Sequence, residues 1–336
     1  MAIIRSGRHW LVLVSFLCLL VLLPLVLNWT RNLNWLTFVN FTMIIIIAVL
    51  GLNIITGMAG QISLGHSAFI MVGGYVMAVL TVKSGWSFWA ALPISVIITA
   101  LVGLLVAIPV IRLRGFYLAV ATLVFFYISQ FVIRSLDVTG GIDGLIGIPY
   151  PSIGRLVIRT NVNWFYLLLL LVILCIFFSV NIARSRLGRA FLAVRDNDVA
   201  AAGLGINVPL TKWRAFFSGS LFAGLAGGLG ASYISVIRVD QFTIWDSIWY
   251  LGMIVIGGGG STAGAVMGVV FLRLMKQILD VIGTSGVIPL SSNYSVYITY
   301  TIYGLAIILF VSFKPFGLIS VWRKFQASCK RWPFGV

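Results

Sequence analysis

The chain has 336 residues, of which 61% are hydrophobic and only 9% are charged, and its formal net charge is +16. A mean hydropathy of +1.11 leaves too little polar surface to cover a soluble core, which excludes a water-soluble protein. The Lys and Arg residues stand in short loops beside apolar runs, a pattern that orients membrane proteins and argues against nucleic-acid binding.

Apolar runs of spanning length recur along the chain and predict an all-α integral membrane protein with about ten transmembrane helices, at about 20 residues per span. The first run follows Arg5 and Arg8, is long for a signal peptide and lacks a small-residue cleavage site, so we expect it to be retained. The predicted spans are 10–28, 35–56, 65–82, 88–110, 115–135, 163–183, 214–236, 245–259, 263–282 and 295–313.

Most Lys and Arg residues between the spans fall on the side of the N-terminus, which predicts that both termini are cytoplasmic. We therefore divide the chain into a transmembrane domain, 1–314, which contains a basic cytoplasmic loop at 184–214, and a basic cytoplasmic tail, 315–336.

Two Gly-rich segments interrupt the apolar pattern: TGMAGQISLGH after the second span and IGGGGSTAG after the eighth. Paired interruptions of this kind indicate a translocation site built from two related halves, although tight turns between packed helices would read the same way. Polar side chains here would sit at membrane depth, and the glycines could bring backbone amides to a substrate carboxylate. The pathway candidates are Gln61, Ser63, His66, Ser67, Gly257, Gly258, Gly259, Gly260 and Ser261.

Other motifs favour structural roles. The segment GGGGSTAG lacks the lysine of a phosphate-binding loop, so we expect no ATP site and no cofactor on this chain. Ser220, Gly224 and Gly228 have the small-xxx-small spacing of helix packing. Because His9 is the other histidine, a metal site at His66 is improbable and we expect a neutral, hydrogen-bonded imidazole.

The loop 184–214 begins with a basic amphipathic segment, RSRLGRAFLAV, in which apolar residues recur at helical spacing. It predicts a helix on the membrane surface, an elbow whose arginines are Arg184, Arg186 and Arg189.

A second, shorter helix should follow the elbow. Asp196 is the expected N-cap, Asp198 places a negative charge in the first turn, and Gly205 can end the helix in a left-handed conformation. Such a short helix is unstable alone in water, so a partner is expected to cover it. The alternative is a solvated loop that only sets the topology.

At this point the chain resembles a known family. From about residue 50 to residue 318 the chain contains, in this order, the segments TGMAGQISLGHSAF, RLRGFYLAVATL, TGGIDGLIGIP, SRLGRAFLAVRDNDVAAAGLGINV and FKPFGL. Together they resemble the LivM-type permease of ATP-binding-cassette importers for branched-chain amino acids.

The resemblance implies that the short helix is a coupling helix, which inserts into a cytoplasmic ATPase subunit that carries ATP and Mg. The elbow arginines would contact lipid phosphates or the ATPase rim. It also implies a second related permease subunit, a periplasmic solute-binding protein, and a place in the bacterial inner membrane. The implied docking residues are Arg195, Asp196, Asn197, Asp198, Val199, Ala200, Ala201, Gly203, Leu204, Gly205 and Ile206.

The chain departs from the family at positions where members commonly carry an acid. Phe116, Tyr127, Ala202 and Trp249 stand there, which bears on the solute rather than on the fold.

Two other transporter classes remain open from the residues alone. A secondary transporter would need intramembrane charges, for which Asp280, Lys276 and Arg273 qualify, although a structural ion-pair cluster would read the same way. A channel would need a selectivity filter, and no such segment stands out.

Overall fold

The structure is a computed structural model. It describes residue 24, residues 33–113, 115–154 and 156–284, and the short pieces 301–302, 304–305, 307–309, 312–313 and 317–320. The predicted spans 10–28 and 295–313 and the tail 315–336 lie wholly or largely outside these residues.

The described chain is mainly helical. In order, the helices are α1 (Leu33–Leu52), α2 (His66–Ala78), α3 (Phe88–Val110), α4 (Phe116–Ser135), α5 (Asn161–Arg184), α6 (Arg186–Asp196), α7 (Asp198–Gly203), α8 (Val208–Ile234), α9 (Ile244–Gly257) and α10 (Thr262–Thr284). Helices α1 and α2 continue into π-helical turns at Asn53–Met58 and Val79–Lys83, and short 3-10 turns lie at Asp137–Thr139 and Val239–Gln241.

Among the described residues, four two-residue strands form small sheets in the loops. Strand β1 (Leu145–Ile146) pairs antiparallel with β4 (Val236–Ile237), and β2 (Ser152–Ile153) pairs antiparallel with β3 (Leu156–Val157). The β1–β4 pair ties the loop between α4 and α5 to the segment after α8. We call this the long-loop end of the bundle, and the opposite end the α6–α7 end.

Within the described ranges, seven helical segments are long and apolar enough to cross a membrane. They confirm the predicted spans at 35–56, 65–82, 88–110, 115–135, 163–183, 214–236 and 263–282. Helix α9 has only 14 residues, about 21 Å against a hydrocarbon core of about 30 Å, so it is not one of these seven segments and the predicted span at 245–259 is not confirmed. The total of about ten spans stays a prediction.

Helix α8 lies at the centre of the bundle, in contact with α1, α2 and α3. Its small residues let neighbouring backbones approach closely: a Cβ on Gly224 would lie 2.8 Å from Thr99 Cβ, and one on Gly227 would lie 2.8 Å from the backbone nitrogen of Gly74. The small-xxx-small spacing is therefore a packing device, as predicted.

Replacing Gly227 by Ala should destabilise the bundle, because the added methyl group meets the carbonyl of Ile70 and the backbone of Gly74. Overpacking of this kind costs about 1–3 kcal/mol. The matched control is Gly230→Ala on the same helix, where the nearest atom is Ile44 Cγ2 at 3.8 Å. Thermal unfolding in detergent should show a lower midpoint for Gly227→Ala only. Equal midpoints would contradict the packing account.

Two helices begin inside the bundle rather than at its surface. His66, the first residue of α2, contacts Ala48 of α1 with Nε2 2.9 Å from the carbonyl oxygen. Ala48 lies about 12 Å along α1 from Asn40, which bonds Asn161 at the long-loop end, and about 15 Å from Met58. Because the start of α9 contacts Ser67, both α2 and α9 begin near the middle of the bundle.

Candidate functional site

Helix α6 is amphipathic, as its sequence predicts. Phe191 and Val194 are buried against the bundle, and the side chains of Arg186 and Arg189 are exposed. Ser185 caps the helix by accepting a hydrogen bond from the backbone N–H of Gly188. The exposed elbow arginines are free to contact a surface outside the chain, and their partners stay a prediction.

Helix α7 begins one residue later than expected. Asn197, not Asp196, is its N-cap: the Asn197 Oδ1 accepts from the backbone nitrogens of Val199 and Ala200 at 2.9 and 3.1 Å. The prediction of Asp196 as N-cap is wrong, since that residue ends α6. An amide oxygen caps as well as a carboxylate, so local sequence did not decide between the two.

The end of α7 follows the prediction. Gly205 has φ +82, and its N–H donates to the carbonyl of Ala202, while the N–H of Ile206 donates to that of Ala201. This pair of bonds is a Schellman ending, which requires a residue in the left-handed region.

The outer face of α7 carries small residues and two exposed apolar side chains. Leu204 is 81% exposed and Val199 is 68% exposed. A Cβ built on Gly203 meets no atom within 4 Å, so this face is open. Two large exposed apolar side chains, one on this six-residue helix and one at its C-cap, favour coverage by a partner.

An ion pair holds α7 against α8. Lys212 Nζ lies 2.8 Å from Asp198 Oδ2, with side-chain exposures of 2% and 15%. Asp198 is also in the first turn of α7, where a negative charge is favourable. Helix α7 is therefore fixed to α8, the central helix of the bundle. A pocket of about 260 Å³ lies behind it, lined by Gly60, Gln61, Gly115, Leu118, 194–199 and Lys212.

The two Gly-rich segments meet at the α6–α7 end, although about 200 residues separate them in the sequence. The Asn53 Oδ1 accepts a 3.0 Å hydrogen bond from the backbone nitrogen of Gly260. Arg195 Nη1 donates a 2.6 Å hydrogen bond to the carbonyl of Gly57. We call Asn53, Gly57, Gly260 and Arg195 the glycine junction.

Glycine is required at the junction for close approach. A Cβ on Gly57 would lie 2.6 Å from the nitrogen of Gly260, and one on Gly260 would lie 2.7 Å from Arg195 Nη1. Gly260 also has φ +84, a left-handed conformation that favours glycine. In the C-terminal piece, Gly317 lies against Gly257 and Gly258.

The first group of predicted pathway residues is enclosed within the bundle. Ser63 and His66 are fully buried, and Gln61 is nearly so. His66 accordingly makes the predicted hydrogen bond through Nε2. Among the described residues, Ser63 Oγ, Gln61 Oε1 and His66 Nδ1 have no hydrogen-bond partner. Buried polar atoms without partners are costly, and they are commonly retained at functional sites.

Ser67 joins the start of α2 to the start of α9. Its Oγ donates to the carbonyl of Thr243 at 3.0 Å and accepts from Ser247 Oγ at 2.8 Å, and its backbone nitrogen donates to Ser247 Oγ at 2.9 Å. Thr243 and Asp246 cap α9 reciprocally. Two helix N-termini are thus held together by hydroxyl groups near the middle of the bundle.

The second group of candidates divides. Gly257 and Gly258 are buried, whereas Gly259 is exposed and Gly260 and Ser261 are partly exposed. The structure brings Gly260 to the first Gly-rich segment at the α6–α7 end, whereas Ser67 lies near the middle of the bundle. The nine candidates therefore do not form one cluster. Whether they line a pathway stays a prediction.

The structure describes the side chains of two of the three charged residues considered for a secondary transporter. Arg273 Nε donates to Thr42 Oγ1 at 3.4 Å, and its guanidinium lies 5.1 Å from the ring centre of Phe38. Lys276 is exposed, and the side chain of Asp280 lies outside the described residues. Of the positions where the family carries acids, Phe116, Tyr127 and Ala202 are exposed and Trp249 is partly buried.

Several residues of the site were not predicted. Asn53 interrupts the apolar run IIIIAVLGLNIITG, and a lone amide at membrane depth is a signal that could have found it. Lys212 and Ser247 carry no comparable signal, because their partners lie on other helices.

Comparisons with known proteins agree on one family. Residues 34–311 match the family described as branched-chain amino acid transport system / permease component. The high-affinity branched-chain amino acid transport system permease protein LivM of Salmonella typhimurium is 31% identical over 306 residues, which cover 84% of this chain and 69% of the relative. The Escherichia coli LivM gives the same values.

A more distant likeness covers less of the chain. The autoinducer 2 import system permease protein LsrC of Salmonella typhi is 31% identical over 149 residues, or 42% of each protein. No solved structure gives a significant match.

Proposed function

The chain belongs to the family of branched-chain amino acid transport permeases, and from this we propose that it is the membrane-spanning subunit of an ATP-driven importer. It is a multi-pass membrane protein. In the proposed assembly α7 inserts into a cleft of a cytoplasmic ATP-binding-cassette ATPase, which holds ATP and Mg and performs the hydrolysis.

The observation that carries the proposal is the exposed face of α7. Val199 and Leu204 are exposed on α7, whose position is fixed by the Asp198–Lys212 ion pair. A rigid mounting and an open apolar face are what a docking element needs, because less conformational freedom is lost when the partner binds.

The rest of the assembly follows from this orientation. The α6–α7 end faces the cytoplasm of a bacterium, the protein lies in the inner membrane, and both termini are cytoplasmic. The exposed arginines of α6 contact lipid phosphates or the rim of the ATPase. A periplasmic solute-binding protein meets the long-loop end, and a second, related permease subunit completes the membrane pore.

The pathway runs past the starts of α2 and α9, where Ser67 and Ser247 are hydrogen-bonded. The unpartnered atoms of Ser63 and His66 lie nearby in the sequence and are buried. Separation of the two helix starts would expose these groups to water and solute, as expected for a pathway that opens to one side at a time.

The cargo is a branched-chain amino acid. Both LivM relatives are named for that transport and align with 84% of this chain, whereas the autoinducer 2 importer aligns with 42%. Because selection in such a system rests largely on the binding protein, a related small polar solute would need few changes in this chain.

Co-purification from native membranes tests the assembly. The tagged wild-type chain should bring down an ATPase and a second permease, identified by mass, and the preparation should hydrolyse ATP. The variant Asp196→Lys/Gly203→Arg should keep the second permease and lose the ATPase. A wild-type chain that is stable in detergent and comes down alone, without ATP hydrolysis, would contradict the proposal.

A further inference from the structure

The side chain of Arg195 crosses from the docking segment to the membrane-spanning helices. Arg195 lies in the last turn of α6. A Cβ on Gly60 would lie 2.9 Å from its Cγ, so the aliphatic part of Arg195 passes directly over the chain between α1 and α2. Its Nη1 then donates to the Gly57 carbonyl at 2.6 Å. The family resemblance implies an ATPase contact for Arg195, which stays a prediction, and the structure shows its guanidinium bonded to the bundle.

The acceptor is the C-terminal end of a membrane-spanning helix. Gly57 belongs to the π-helical turn that ends at Met58, where the last carbonyls of a helix lack partners within the helix. A guanidinium here supplies a donor and places a positive charge at the negative end of the helix dipole. A charge-assisted hydrogen bond is about twice as strong as a neutral one.

The same guanidinium also lies against the second Gly-rich segment. Gly260 approaches Arg195 so closely that a Cβ would lie 2.7 Å from Nη1, and its backbone nitrogen is bonded to Asn53. Arg195 therefore contacts both Gly-rich segments at once. One side chain of the docking segment holds the end of α1 and the turn between α9 and α10 in their observed arrangement.

Movement of α7 would reach Arg195 through a short connection. Asn197 is the one residue between α6 and α7. Its side-chain oxygen accepts from the Val199 backbone nitrogen and so caps α7, and its N–H donates to the carbonyl of Ala193 in the last turn of α6. A displacement of α7 would therefore move the end of α6 with it.

We infer that Arg195 is a positioning residue that links ATPase movement to the glycine junction. In the structure it keeps the junction closed, and when the ATPase displaces α7 the guanidinium leaves Gly57 and the two Gly-rich segments separate. This inference rests on the proposed function, because it requires an ATPase on α7.

The test compares three variants in the purified complex, with the second permease, the ATPase and the binding protein present. Arg195→Met removes the donors and keeps the aliphatic length. Arg195→Lys keeps a positive charge but lacks the guanidinium fork. Arg214→Met, near the start of α8, is the control, because Arg214 is an exposed arginine that belongs neither to the elbow nor to α7.

Two quantities are measured for each variant, ATPase binding and solute imported per ATP hydrolysed. ATPase binding should stay unchanged in all variants. Solute imported per ATP hydrolysed should fall roughly tenfold in Arg195→Met, as expected on losing a charge-assisted hydrogen bond, and less in Arg195→Lys. Arg214→Met should match wild type. If Arg195→Met does not accumulate in the membrane, Arg195→Lys carries the comparison.

The outcomes are distinguishable. Unchanged import per ATP in Arg195→Met, or in Arg195→Lys where only that variant accumulates, would overturn the link. Lost ATPase binding would overturn it too, because Arg195 would then be a docking contact. Both results would leave the proposed function intact. If the wild-type complex neither binds an ATPase nor imports solute, the proposed function fails independently.

Discussion

Gly203→Arg should abolish solute uptake while leaving the amount of protein in the membrane unchanged. Gly203 is on the open face of α7, and a Cβ there meets no atom within 4 Å, so the arginine fits the isolated chain without disturbing it. In the assembly the same side chain would place a bulky charge between α7 and the cleft of the ATPase. Burying an unpaired charge costs several kcal/mol, enough to prevent docking.

The measurement is uptake of a radiolabelled branched-chain amino acid by cells that express the variant, with membrane abundance determined by immunoblot. Gly203→Ala is the matched control, because it adds only a methyl group at the same open position and favours the helix. It should transport normally. Normal uptake by Gly203→Arg would exclude α7 as the docking element.

Lys212→Met should detach α7 from the bundle. Lys212 is 2% exposed, and its removal takes away the ammonium that faces the Asp198 carboxylate. Breaking a buried pair on one side costs about 3–5 kcal/mol, because a charge remains in a poorly solvated place. We expect faster amide exchange across α7 and a large loss of uptake, whereas the membrane-spanning helices should keep their protection.

The control on the same helix is Arg214→Met, since Arg214 is exposed and should tolerate the change. The double variant Asp198→Asn/Lys212→Met removes both charges and should recover part of the lost protection. Amide exchange followed by mass spectrometry measures each variant. If Lys212→Met and Arg214→Met show equal exchange across α7, the ion pair does not hold α7 against the bundle.

The sequence is informative wherever a structure depends on neighbouring residues. The long apolar runs predict α1 to α5, α8 and α10, because burial in lipid needs an unbroken apolar stretch. The amphipathic repeat predicts α6, and the left-handed Gly205 ends α7 where expected. The start of α7 was missed by one residue, because Asn197 and Asp196 cap equally well.

The contacts between distant segments could not be read from the sequence. The meeting of Gly57 with Gly260, the ion pair of Lys212 with Asp198 and the hydroxyl contacts of Ser67 all join residues on different elements. Each depends on how separate helices pack against one another. The shortness of α9 was also hidden, because the apolar run around it looks like a full span.

ATP-dependent uptake in proteoliposomes tests the central claim most directly. The purified chain is reconstituted with its second permease and the ATPase, ATP is supplied on the side of the ATPase, and the binding protein and a radiolabelled branched-chain amino acid are supplied on the other. We predict uptake that requires ATP, stops when the ATPase is omitted, and is indifferent to proton or sodium gradients. Uptake by the chain alone, driven by an ion gradient without ATP, would contradict the account and identify a secondary transporter.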